Sequence, residues 1–194
     1  MKNIYLHTIL LLLISFNSFA LEPKVTGSLH ETNISGHVGK SRQVLGEGSD
    51  SHAVSLIVAT EKSDKPCWIR LYKGHLDGIG AHSSDWFDKC RSVAGMKFVG
   101  FDDYGSTKVR GVSVCTNNKS NNRLKGVRFY GARVNDDASL TIQTAYDEFK
   151  RTNCKTWHKA VYCPKGMIAT KLIVEYTDDT VNGLGLKCKT VSLK

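Results

Sequence analysis

Apolar side chains fall on alternate positions through most of the chain beyond residue 50. Val54, Leu56 and Val58 occupy every second place. The same rhythm runs through Lys108–Cys115, where Gly111 offsets Val109 from Val112, and through Leu124–Gly131, where Val127 and Phe129 alternate with Arg128 and Tyr130. Thr170–Tyr176 and Leu184–Cys188 repeat it. Successive side chains of a strand point to opposite faces, so a period of two marks strands with one face in a core. These runs are short, and Gly, Asn and Asp separate them. They predict an all-β fold of antiparallel sheets, a prism or a sandwich. The polar segment 21–50, rich in Gly, Ser and His, reads as an extended lead-in with room for one edge strand. The one candidate helix is Thr141–Arg151, where Tyr146 and Phe149 would share a face. Asn182-Gly183 suits the centre of a type I′ hairpin turn, which puts a connection at Asp179–Gly183. Asp102-Asp103-Tyr104-Gly105 reads as its counterpart earlier in the chain.

The first twenty residues follow different rules. Lys2 precedes the apolar run Ile9–Ile14, and Ser18-Phe19-Ala20 places small residues where a signal peptidase cuts. The run is too short to span a bilayer. Residues 1–20 are therefore expected to be a signal peptide cleaved near Ala20. Residues 21–194 are expected to form a single β-rich domain, secreted or periplasmic.

Export permits disulfides, and the six cysteines are an even set. They fall into two triplets, Cys67, Cys90, Cys115 and Cys154, Cys163, Cys188, within stretches 67–115 and 154–188 that share further features. Both contain a Gly-Met pair, a tryptophan before the middle cysteine (Trp86 before Cys90, Trp157 before Cys163), and a glycine before the closing cysteine. The same interval separates Cys90 from Cys115 and Cys163 from Cys188. We read two diverged copies of one disulfide-bearing unit. Duplication favours Cys90–Cys115 and Cys163–Cys188, which leaves Cys67–Cys154. The rival pattern joins Cys67 to Cys90 and Cys154 to Cys163. No C-x-x-C pair is present, so no metal and no cofactor are expected.

The formal net charge is +9. Much of the excess lies in one stretch: Lys108, Arg110, Lys119, Arg123, Lys125, Arg128 and Arg133. Such a stretch is either a solvated basic face or a surface for an anionic polymer or an acidic protein. The expected compartment and the lack of any nucleic-acid motif argue against nucleic acid.

The motifs of catalysis are missing. Gly39-Lys40-Ser41 lacks the upstream glycine of a phosphate loop, and neither Gly-x-Ser-x-Gly nor His-Glu-x-x-His occurs. Among the histidines, His30 with His37, or His75 with His82, have the spacing to approach one another, though not a common ligand pattern. The acidic pairs Asp102-Asp103, Asp136-Asp137 and Asp178-Asp179 sit in expected turns. Aspartate there either bonds its own backbone or faces a polar ligand. Tyr104, Trp86, Phe87, Trp157 and Tyr176 lie near these turns. An exposed ring beside Asp or Asn suits a sugar, which presents a C–H face and a rim of hydroxyls. Repeated tryptophans also commonly fill a core beside a disulfide.

Cys163-Pro164-Lys165-Gly166, followed by a strand, the acidic turn Asp178-Asp179-Thr180 with Asn182, and a strand closing on Cys188, resembles the repeat of vitelline-membrane outer-layer proteins. The resemblance covers 154–188 well and the first copy loosely, since no proline follows Cys90. It implies a β-prism and a lectin-like role at an extracellular coat. The expected function is thus a non-enzymatic, lectin-like binding protein for glycan or an anionic surface polymer, with an inhibitor or immunity protein and a secreted toxin as alternatives. Its candidate contacts are Asp102, Asp103, Tyr104, Asp178, Asp179 and Asn182. Lys108, Arg110, Arg123, Lys125, Arg128 and Arg133 form the candidate basic surface.

Overall fold

Alternation becomes strand almost everywhere it occurs. The computed structural model describes residues 21–47, 52–62, 65–76, 81–89, 94–101, 105–117 and 122–194. Among them are fourteen strands and no helix: β1 (Pro23–Glu31), β2 (Ser35–Gly36), β3 (Ser41–Leu45), β4 (Ala53–Lys62), β5 (Lys65–Gly74), β6 (Ala81–Asp88), β7 (Ala94–Gly100), β8 (Thr107–Thr116), β9 (Leu124–Val134), β10 (Leu140–Lys150), β11 (Thr156–Trp157), β12 (Val161–Tyr162), β13 (Met167–Thr177) and β14 (Thr180–Leu193).

The strands build three antiparallel sheets. The first has the order β1-β14-β13-β3, with β2 also on β14. The second runs β6-β5-β4-β7, and the third β10-β9-β8-β11, with β12 also on β8. Each follows one scheme: three strands in hairpin succession, then a fourth beside the first of them, the Greek-key arrangement. In the first sheet the scheme closes through the two ends of the chain, β13 and β14 continuing onto β1. The lead-in segment thus supplies both edges of that sheet and not a single edge strand.

Inward side chains of all three sheets meet in one core, as the walls of a prism would. Leu172, Val174, Leu184 and Leu186 come from the first sheet, Ile69, Leu71, Phe87 and Val99 from the second, and Val112, Val114, Val127 and Phe129 from the third. Their burial is the main source of stability, at about 25 cal/mol per Å² of apolar surface removed from water.

Two local expectations need correction. Thr141–Arg151 is not helical, because β10 pairs along its length with β9. Tyr146, three residues before Phe149, faces outward against Tyr130, whereas Phe149 packs on the core; a strand puts such positions on opposite faces. The β13–β14 turn is Asp178-Asp179, closed by the Thr177–Thr180 pair. Asn182-Gly183 lies inside β14, where Gly183 lets another segment approach: a Cβ there would stand 2.6 Å from the His37 carbonyl oxygen.

The disulfides also differ from expectation. Cys163–Cys188 forms, but Cys115 bonds Cys154, which excludes both Cys90–Cys115 and Cys67–Cys154, and Cys154–Cys163 as well. Cys67 is disulfide-bonded too. Cys90 lies outside the described residues.

Candidate functional site

The Asp178-Asp179 turn stands at one end of the prism and forms one wall of a cleft of about 530 Å³. Asp178 has φ +55°, the left-handed region that aspartate tolerates better than most residues, and both aspartates are exposed. Thr180 Oγ1 donates to Asp179 Oδ1 at 3.1 Å. The second wall is the segment 37–40, brought from far earlier in the chain. His37 N donates to the Asn182 carbonyl (3.1 Å), Gly39 N to Glu175 Oε2 (3.1 Å) and Lys40 N to Thr177 Oγ1 (3.2 Å). Gly39 is required there, because a Cβ would lie 2.4 Å from the Tyr176 amide nitrogen. Buried Glu175 is held in turn by Arg42, whose Nε reaches Glu175 Oε1 at 2.5 Å while its other arm bonds Glu31. Hydrogen bonds to Glu175 and then to Glu31 raise the Arg42 pKa, so this anchor keeps its charge. Asn122 and Arg123, before β9, complete the cleft.

Sequence-selected Asp178, Asp179, Asn182 and Arg123 therefore share one cleft. Asn182 is buried and belongs to its floor. Asp102, Asp103 and Tyr104 lie outside the described residues. Sequence reading missed His37, Val38 and Lys40, since nothing local links them to a turn more than a hundred residues later. Asp137 takes the other role open to a turn aspartate: its Oδ1 accepts from the Ser139 amide and hydroxyl at 2.9 and 2.6 Å.

The basic stretch does not form one face. Lys108 and Lys125 are buried, and Lys108 Nζ reaches Ser55 Oγ (3.4 Å) and the Gly105 carbonyl (3.1 Å) to link the third sheet with the second. Arg133 is exposed on β9, and Arg110 and Arg128 lie on the outer side of the third sheet among aromatic rings. Arg128 stacks 3.8 Å above the Trp157 ring and 4.6 Å from Tyr146. Burial is the largest influence and opposes its charge, but the 2.5 Å bond to Glu148 together with the charge of Glu148 and smaller contributions from Tyr146 and Tyr130 leaves its pKa raised. Trp157 is half-buried, its ring lying over Gly126, whereas Trp86 is 55% exposed and lies outside the core.

Two disulfides fix the ends of one segment, 154–163, along the outer side of β8. With residues 30–36 it bounds a second cleft of about 670 Å³, lined by His30, Asn33, His158, Lys159 and Tyr162 among others. His158 bonds Thr116 Oγ1 through Nε2 (2.8 Å), and its ring sits 4.8 Å from that of His37. Burial, with His37 adding, holds the His158 pKa below the ordinary imidazole value. Among the described side chains the histidine rings in contact are His37–His158 and His52–His75; the His82 side chain, of the expected His75–His82 pair, lies outside them. Among the described residues no group of three or more potential metal ligands converges, and no helix is long and apolar enough to cross a membrane.

Three Greek-key sheets around a common core define a β-prism, and solved structures bear this out. The lectin Calsepa of Calystegia sepium, in complex with a biantennary N-glycan, superposes with a TM-score of 0.50 over 87% of this chain and 98% of its own, at 12% identity. Its complex with a bisected glycan gives 0.50 over 83% and 97%, at 11% identity. A mannose-specific jacalin-related lectin from Morus nigra reaches 0.49 over 84% and 96%, at 9% identity. At such identities the likeness concerns the fold. No protein-family model matches the sequence, and no curated protein matches it significantly. The β-prism implied by the vitelline-membrane resemblance is therefore found, while no family match supports that particular relationship. The structural neighbours are non-enzymatic binding proteins, and the disulfides are compatible with a secreted or periplasmic protein.

Proposed function

We propose that this chain is an exported, non-catalytic glycan-binding protein whose site is the cleft at the β13–β14 turn. The observation that carries the reading is the convergence of the Asp178-Asp179 turn with His37, Val38, Lys40 and Arg123 around one opening. Ionised carboxylates accept hydrogen bonds from adjacent sugar hydroxyls, while Lys40 and Arg123 donate to ring and hydroxyl oxygens. Val38, 74% exposed, offers an apolar contact for the C–H face. The walls are held by backbone bonds and by the Arg42–Glu175 anchor, so little ordering is needed when a ligand arrives. The prism fold shared with Calsepa, solved with N-glycans bound, supports the ligand class. Residues 1–20 serve as the export signal in this reading.

A glycan array probed with the mature protein and its Asp179→Ala variant tests the proposal. Specific hits are expected for the native protein. The variant should bind those glycans more weakly by about 1–3 kcal/mol, the loss of hydrogen bonds to a carboxylate. An array without hits, or hits that the variant retains in full, would reject the site.

A further inference from the structure

A second cleft adjoins the Asp178-Asp179 cleft, the two meeting where the His37 ring packs against His158, and it has its own set of lining residues. We propose that the cleft between residues 30–36 and the disulfide-anchored segment 154–163, continued by the row Tyr162, Tyr130 and Tyr146, binds a linear anionic polysaccharide bearing carboxylate or sulfate groups.

The row is ordered across three strands. Tyr162 and Tyr130 lie 5.2 Å apart and Tyr130 and Tyr146 5.7 Å apart by ring centroid. Tyr162 and Tyr146 remain 42% and 45% exposed although Arg110 and Arg128 lie over them, which leaves aromatic surface in solvent. Tyr162 is seated on purpose: Gly111 beneath it leaves no room for a Cβ, which would stand 2.3 Å from ring Cδ1. Two disulfides hold this irregular segment, Cys115–Cys154 before it and Cys163–Cys188 after it. That rigidity is more than two two-residue strands need, and it presents His158, Lys159 and Tyr162 in fixed places.

The charge of the surface selects the ligand. Lys159 lines the cleft, and Arg110 stacks over Tyr162 at 5.1 Å. No carboxylate pairs with Arg110 or Lys159 among the described residues. The one acid among the described residues lining the cleft, Glu31, is bonded to Arg42. A guanidinium grips a carboxylate or sulfate with two donors, and the tyrosine faces take the C–H faces of sugar rings. The cleft volume suits a small-molecule site, and the tyrosine row extends it into an elongated one. An expected oxidising compartment favours a polysaccharide over a nucleic acid, although stacking rings with arginines suit either.

The disulfide-intact chain is titrated by calorimetry with an oligogalacturonate, a neutral dextran oligosaccharide of equal length and an oligothymidylate. Oligogalacturonate should bind in preference to the other two, and more weakly at about 500 than at 50 mM salt. Lys159→Gln and Arg110→Gln, both at the surface, should each weaken it by roughly ten-fold, one charge-assisted hydrogen bond. Asp179→Ala should leave it unchanged, which separates this surface from the turn cleft. Absence of oligogalacturonate binding, equal binding of dextran, preference for oligothymidylate, or indifference to both substitutions would each overturn the proposal.

Discussion

Glycine does its most specific work at two positions of this chain. Gly183 and Gly39 each let the segment 34–40 lie against the first sheet where any Cβ would strike backbone. Both walls of the turn cleft depend on that approach. Gly183→Ala should lower stability by about 1–3 kcal/mol, the usual cost of an overpacked site, read from the denaturant midpoint. It should also weaken glycan binding more than the stability loss accounts for, by displacing His37. Asn182-Gly183 shows why the site was half-legible in the sequence. The dipeptide is a strong turn signal, yet here its glycine serves a contact with residues far away in the chain, and the turn forms on Asp178-Asp179 instead. The acidic turn could be read from residue types, whereas its partners His37, Val38 and Lys40 could not.

His158 belongs to the same scale. Its pKa lies below the ordinary imidazole value because burial, and then His37, disfavour the proton. The unfolded chain therefore takes up a proton at a pH where the folded chain does not. Stability from this group is present above the ordinary imidazole pKa and is lost as pH falls through the lower, folded value. Thr116, His37, His30 and Lys159 are the groups in contact with it or lining the same cleft. Thermal unfolding between about pH 7 and 5 should show a smaller acid loss in His158→Gln than in the native chain. An identical pH profile in the two proteins would remove His158 from the account.

Among elements, β10 is the instructive failure. An edge strand with much of its length in water shows little alternation, and its sequence reads equally well at helical spacing. Pairing decides the matter: Glu148 lies opposite Arg128, and Tyr146 opposite Tyr130. The segment 154–163 is the other element that propensity does not describe. It is held by covalent bonds and two short pairings on β8, and its disulfide partners follow from where the sheets meet, not from equal intervals along the chain. Replacing Cys115 and Cys154 together by serine should destabilise the protein by about 2–4 kcal/mol in chemical denaturation. The variant should also release Trp157 from Arg128, seen as a red shift of tryptophan emission. A variant as stable as the native chain would show that the two short pairings alone suffice.

At the level of the whole molecule, three sheets with one strand scheme wall a core built from Val, Leu, Ile and Phe of every sheet. The all-β class was legible because those inward positions alternate so regularly. The closure of the first sheet through the chain ends was not, because residues 21–47 have little periodicity of their own and their strands are set by pairing with β13 and β14. Phe129→Ala, fully buried at the junction of the sheets, should cost about 3–5 kcal/mol and lower the melting temperature without abolishing strand content. The prism also explains why a site can rest at its end: strand ends converge there on a rigid base, and loops so held carry binding residues.

The most direct measurement of the central claim is a two-dimensional amide NMR titration of the mature protein with the best glycan from the array. The account predicts saturable shifts clustered at residues 37–40, 122–123 and 177–182, and little change on the outer side of the third sheet. Shifts confined to another surface, or none at millimolar glycan, would contradict it.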